Sequence, residues 1–132
     1  YGNFSCLSKD RPLVIAGVSM GGYGALYHYI KNTDKYACCV ALSPALRPDR
    51  LDESKFGTLK DLFLEKKGEK LNVYLSVGEA DFIIENSRAF NEFLISNELG
   101  VEYKFIPNRD HSWYTWAHEV FDVIEYLEKI IK

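Results

Sequence analysis

The sequence alternates four times in 132 residues between a short apolar run and a stretch with helical spacing, and that alternation leaves few folds open. Residues 13–16, 37–42, 71–77 and 101–106 are apolar runs of strand length, closed in turn by Gly17, Ser43-Pro44, Gly78 and Pro107. Helical spacing follows three of them. Residues 20–30 carry Tyr23, Leu26, Tyr27 and Ile30 three and four apart. Residues 86–99 carry Ala89, Phe90, Phe93 and Leu94, with Gly100 as the expected stop. Residues 112–131 carry Trp113, Trp116, Val120, Val123, Leu127 and Ile130 as one expected stripe. Residues 59–66 read as a short helix, Arg47-Pro48-Asp49-Arg50 as a loop, and Glu65-Lys66-Lys67-Gly68-Glu69-Lys70 as a solvated helix end and turn. Strands alternating with helices predict a mainly parallel sheet with helices on both faces, a three-layer α/β/α domain spanning residues 1–132.

Composition narrows the function. With 47% hydrophobic and 27% charged residues, the chain can build a core and is not disordered. No apolar run approaches the roughly 18 residues of a membrane span. Lysine and arginine total 16 against 19 acidic residues, a net charge of −3 without the basic footprint of a nucleic-acid binder. Neither nucleic acid nor membrane is therefore an expected partner. Cys6, Cys38 and Cys39 are too few and wrongly spaced for a disulfide framework, and no CxxC or HxxxH pattern marks a metal site. That cysteine usage points to the cytoplasm, and no metal or cofactor is expected.

Ligands of open parallel sheets bind at the carboxyl ends of the strands, where this sequence puts Ser19, Ser43, Asp81 and His111. Gly17-Val18-Ser19-Met20-Gly21 matches G-x-S-x-G directly after a strand and at the opening of a helix. A serine lifted above a sheet on a sharp, strained turn needs glycine neighbours to avoid collision, and Gly17 and Gly21 fit that need; Gly22 and Gly24 would let the helix pack closely. The helix start would leave the Met20 N–H free to bind an oxyanion. A serine needs a base to become nucleophilic. His28 lies about 13 Å of helical rise along the nucleophile's own helix, and His118 sits inside the last helix, so His111, after the last strand, is the candidate. Asp81 is the preferred acid to orient it, with Glu79 second, while Asp110 reads as a loop charge.

The stretches IAGVSMGGYGAL, SVGEADF and HSWYTW resemble the esterase D-like branch of the α/β-hydrolases, above all tributyrin-esterase-like bacterial carboxylesterases. Feruloyl esterases, acetylxylan esterases and S-formylglutathione hydrolases are relatives of that branch. The resemblance spans essentially the whole chain. By position it implies Ser19 as nucleophile, Asp81 as acid, His111 as base and Met20 as an oxyanion donor, in a serine carboxylesterase acting on small short-chain acyl or sugar-linked esters without a cofactor. Trp113 and Tyr114 are candidates for the substrate pocket, whereas Trp116 reads as core. Residues 45–70 are where hydrolases often carry a cap, here a small one.

The resemblance departs at the front. About four more strands would precede the nucleophile strand in such a hydrolase, and that region supplies the second oxyanion donor. The chain is thus expected to be the C-terminal half of a longer esterase, with the strand at 13–16 and its helices covered by the missing half or by a second copy. The rival expectations are an inactive half-hydrolase serving as an interaction fragment, and an acyltransferase or peptidase on the same scaffold.

Overall fold

A computed structural model describes residues 10–46 and 58–131. Cys6 and the Arg47–Arg50 loop lie outside the described residues. Four strands, β1 (Leu13–Val18), β2 (Tyr36–Leu42), β3 (Val73–Gly78) and β4 (Glu102–Ile106), pair side by side in that order, every pair parallel. Between and after them come α1 (Met20–Lys31), α2 (Leu59–Glu65), α3 (Ile84–Ser96) and α4 (Trp113–Ile131).

Consecutive parallel neighbours joined by right-handed crossovers put every crossover helix on one face of the sheet. The core follows that rule. Cys39, Ala41, Val73 and Leu75 point to one face and pack with Leu26 and Ile30 of α1, Leu59 and Phe63 of α2, and Phe90 and Leu94 of α3. Helix α4, which follows β4, folds back across the other face. There Trp116 and Tyr126 pack with Cys38, Val40, Leu42 and Tyr74. The result is a three-layer α/β/α arrangement. Because β2 and β3 are covered on both faces, they read as continuous apolar runs. Cys38 and Cys39 are free thiols on opposite faces of β2, their ionisation pushed up by burial.

Two expectations need correction. Helix α3 ends at Ser96, before Gly100: Glu98 takes the left-handed conformation (φ 57°). Its N–H donates to the Ile95 carbonyl, and the Leu99 N–H donates back to the Leu94 carbonyl at 2.9 Å. Buried Leu94 and Leu99 at that Schellman turn reward stopping two residues earlier. The α4 stripe is rotated from the expected one. Trp113 and Val120 are exposed, while Thr115, Trp116, Glu119 and Tyr126 face inward, because the helix buries a polar edge along with its apolar one. Of the region expected to carry a small cap, residues 47–57 lie outside the described residues; in the part described, Leu59 and Phe63 are fully buried against α1 and α3. The charged turn after α2 is solvated as expected. Among the described residues no helix is long and apolar enough to cross a membrane.

Candidate active site

Ser19 sits at the turn from β1 into α1 with φ 56° and ψ −118°, a backbone conformation costly for any residue with a Cβ. Its neighbours explain how the chain tolerates it. A Cβ on Gly17 would lie 2.0 Å from the Gly21 carbonyl oxygen, and one on Gly22 would meet Pro44 Cα at 2.9 Å. Gly21 and Gly24 face open space instead. The motif's second glycine therefore contributes its backbone to the crowding at Gly17, and Gly22 is the second position where a side chain is sterically barred. The turn is also tied to β2. Ser19 N donates to the Leu42 carbonyl at 2.9 Å, and Ala45 N donates to the Ser19 carbonyl at 2.9 Å. Met20 opens α1, so its N–H belongs to the first helical turn and has no acceptor within the helix.

Asp81 follows β3 in a tight turn. Its side chain is fully buried, with Oδ1 accepting the Ile83 N–H at 3.0 Å and Oδ2 2.8 Å from His111 Nδ1. His111 follows β4, and its Nε2 lies 2.9 Å from Ser19 Oγ. A carboxylate only accepts, so Nδ1 carries the imidazole proton and Nε2 is left to accept from the serine hydroxyl. The three residues thus form one hydrogen-bonded series from a buried carboxylate to a hydroxyl at the sheet's carboxyl end. His28 and His118 are exposed on their helices, ring-packed against Tyr27 and Tyr114. Glu79 is exposed. Asp110 accepts from Ser112 Oγ at 2.5 Å and from Thr115 Oγ1 at 3.5 Å, which makes it part of the cap on α4 rather than an idle loop charge.

Gly78 brings the acid and base loops together. A Cβ there would lie 2.1 Å from the Arg109 carbonyl oxygen. The bare glycine lets the 107–110 loop close on β3, where Ala80 N donates to that carbonyl and Glu79 N to the Ile106 carbonyl, both at 2.9 Å. A glycine ending a strand is ordinary in a sequence, and only the fold reveals this close approach.

Around His111 stands an aromatic collar. Phe82, 81% exposed, lies 4.9 Å from the imidazole centroid, and buried Trp116 meets the ring edge-on at 5.0 Å. Trp113 is 77% exposed and packs edge-on against Trp116 at 5.1 Å. Tyr114 is exposed under the Arg109 guanidinium and against His118. Trp116, read from the sequence as core, is core and site wall together. For Phe82 the sequence offers one signal, its place beside Asp81 just after a strand. Among the described residues no group of three or more His, Cys, Asp or Glu side chains gathers as metal ligands.

Three comparisons bear on this arrangement. Residues 2–126 match the family described as "Putative esterase". An acetyl esterase of Caldicellulosiruptor saccharolyticus is 24% identical over 96% of this chain and 58% of its own length, and a mouse S-formylglutathione hydrolase is 26% identical over 92% and 50%. Among solved structures, S-formylglutathione hydrolases superpose with TM-scores of 0.79 (Staphylococcus aureus, 24% identical, 96% of this chain and 55% of that one) and 0.78 (Agrobacterium tumefaciens, 21%, 99% and 53%). The chain spans about half the length of the relatives it matches.

Proposed function

The chain belongs to the esterase family, on the esterase D-like branch of the α/β-hydrolases, and from that premise we propose that it carries the nucleophile, base and acid of a serine carboxylesterase. The observation that supports this most directly is the 2.9 Å and 2.8 Å hydrogen-bonded series Ser19–His111–Asp81.

In this reading Ser19 Oγ attacks the ester carbonyl as its proton passes to His111 Nε2. Asp81, bonded to Nδ1, holds the productive tautomer and stabilises the imidazolium. The carbonyl oxygen, now an oxyanion, receives the Met20 N–H, and a second donor comes from elsewhere in the whole protein. His111 returns the proton to the departing alkoxide, so an alcohol leaves and an acyl-Ser19 ester remains. Water then repeats the sequence: its proton goes to His111, its oxygen bonds the acyl carbon, and the Ser19–acyl bond breaks as His111 returns the proton to Ser19 Oγ, releasing the carboxylic acid and the free serine. Phe82, Trp113 and Tyr114 would offer apolar surface to a small acyl or alcohol group.

A fluorophosphonate probe tests the nucleophile without needing the natural substrate. Stoichiometric modification mapped to Ser19, absent in Ser19→Ala, is the expected result. A folded chain that stays unmodified would overturn the reading and favour an inactive interaction fragment. A panel of short-chain acyl esters, acetylated sugars and peptides then separates esterase from peptidase.

A further inference from the structure

The nucleophile and the base share one mount. Leu42 and Ala45 at the end of β2 hold the Ser19 backbone from both sides, through its N–H and its carbonyl, each at 2.9 Å. Between them sits Ser43, 1% exposed, with φ 46°. Its Oγ accepts the indole N–H of Trp116 at 2.9 Å, across 73 residues of sequence. The Trp116 ring in turn stands perpendicular against His111, centroids 5.0 Å apart. A left-handed turn suits glycine better than serine, yet this one carries the hydroxyl that the indole needs. That N–H is buried and would have no partner if the ring turned away, so the bond holds the ring in one orientation. The bonds from His111 to Asp81 and Ser19 fix its two nitrogens and leave the ring free to tilt about the line joining them. A fixed aromatic wall removes that freedom. Phe82 also touches the ring but is mostly exposed and has no polar atom to anchor it.

We propose that the Ser43–Trp116 hydrogen bond is a latch that sets His111 against Ser19, making Ser43 and Trp116 positioning residues for proton transfer. The proposal rests on the reading of Ser19 as a nucleophile, and its test keeps the two apart. Ser43→Gly, which suits the left-handed backbone and removes the acceptor with its single methylene, is compared with Trp116→Phe, which keeps an aromatic ring but removes the donor with the five-membered part of the indole, and with the double variant. Two readouts are taken: the rate of Ser19 modification by a fluorophosphonate, and the NMR signal of the His111 Nδ1 proton shared with Asp81. Modification is expected to slow about 10- to 100-fold in each single variant, the scale of a misplaced reacting group. The double variant should be no slower than either, and the His111 proton signal should broaden or vanish. Wild-type rates and an intact signal in both variants, whatever happens to the melting temperature, would overturn the latch, as would losses that simply add. If the wild-type chain is not modified at Ser19, the esterase reading fails instead. The His111 signal alone then decides the latch: retention in both variants overturns it, loss in both supports it.

Discussion

The two faces of the sheet are held by different physics. On the face covered by α1, α2 and α3, fifteen buried residues of the described chain form one cluster, almost all of it apolar. On the α4 face the buried cluster has six, and the helix is positioned by directed bonds: Trp116 to Ser43, Tyr74 Oη to Glu119 at 2.7 Å, and Lys104 to Glu119 and Asp122. Its outer flank of Val120, Phe121, Ile124 and Ile131 stays exposed, beside an apolar groove of about 300 Å³ lined by Ile124, Leu127, Glu128 and Ile131. Burial is non-directional. It secures a helix against a sheet without dictating its rotation, whereas a hydrogen bond dictates both distance and angle. The base loop runs directly into α4, so the site is built where placement is exact and bulk burial is thin.

That contrast makes rate and stability separable, and the largest effects test it first. Ser19→Ala and His111→Ala should each lower ester hydrolysis by the whole protein about 10⁴-fold or more, and together no further, because the residues act as a unit. Asp81→Asn should cost about 10³- to 10⁴-fold through the wrong tautomer, and exposed Glu79→Gln little. Steady-state kinetics beside thermal melts would break the comparison if Ser19→Ala or His111→Ala also unfolded the chain.

The opposite face should answer in stability. Phe63 is fully buried and meets Phe90 edge-on at 5.6 Å. Phe63→Ala should lose about 3–5 kcal/mol by urea unfolding, while the fraction still folded reacts with a fluorophosphonate at the wild-type rate. A slowed rate per folded molecule would mean that the three-helix face also sets the site geometry.

A smaller effect probes the polar pins. Tyr74→Phe leaves buried Glu119 with fewer partners and should cost about 1.5–3 kcal/mol, the scale of a hydrogen bond to a charged group. It should also alter the alkaline limb. Burial first, then the bond and charge of Glu119, push the Tyr74 phenol above its ordinary 10.0. A raised value means that the unfolded chain ionises above about pH 10 while the native one does not. The stability from Tyr74 is therefore complete below that pH and lost as pH climbs past it. Burial opposes the Lys104 charge, but Asp122 and Glu119 outweigh it and raise its value from 10.5, so its contribution is lost in the same direction. Melts between pH 8 and 11.5 should show a shallower decline in Tyr74→Phe. Some slope should remain, since Tyr29, Tyr103 and Tyr126 are shifted upward by burial as well.

How much of this could be read beforehand depends on the range over which each feature is determined. The element order was legible because apolar period and strand punctuation are local. The positions of Ser19, Asp81 and His111 after β1, β3 and β4 were legible because a parallel sheet gathers the residues after its strands at one end. Pairings across the fold were not. Nothing near Ser43 in sequence announces Trp116, and the steric demands on Gly17, Gly22 and Gly78 come from chain segments that arrive only on folding. The rotation of α4 is hidden for a related reason: buried Glu119 has Tyr74 and Lys104 waiting for it, and periodicity counts a glutamate as solvent-facing.

The smallest expected effect sharpens the comparison from the apolar side. Helix α3 terminates with Glu98 in the left-handed region while Gly100, two residues on, makes no use of its freedom to adopt a positive φ. The fold accepts strain at Glu98 because the turn seats Leu99 and Leu94 in the core and satisfies the carbonyls of Leu94 and Ile95. Glu98→Gly would keep every one of those contacts and remove the Cβ penalty, partly offset by the extra freedom of glycine in the unfolded chain. The expected gain is up to about 1 kcal/mol, read as a higher urea midpoint at unchanged slope. Fluorophosphonate reactivity at Ser19 should not move, because the strain relieved lies where burial, and not a directed bond to the site, sets the helix. A change in that reactivity would show that the termination of α3 is felt at the carboxyl end of the sheet, and the division of labour between the faces would have to be redrawn.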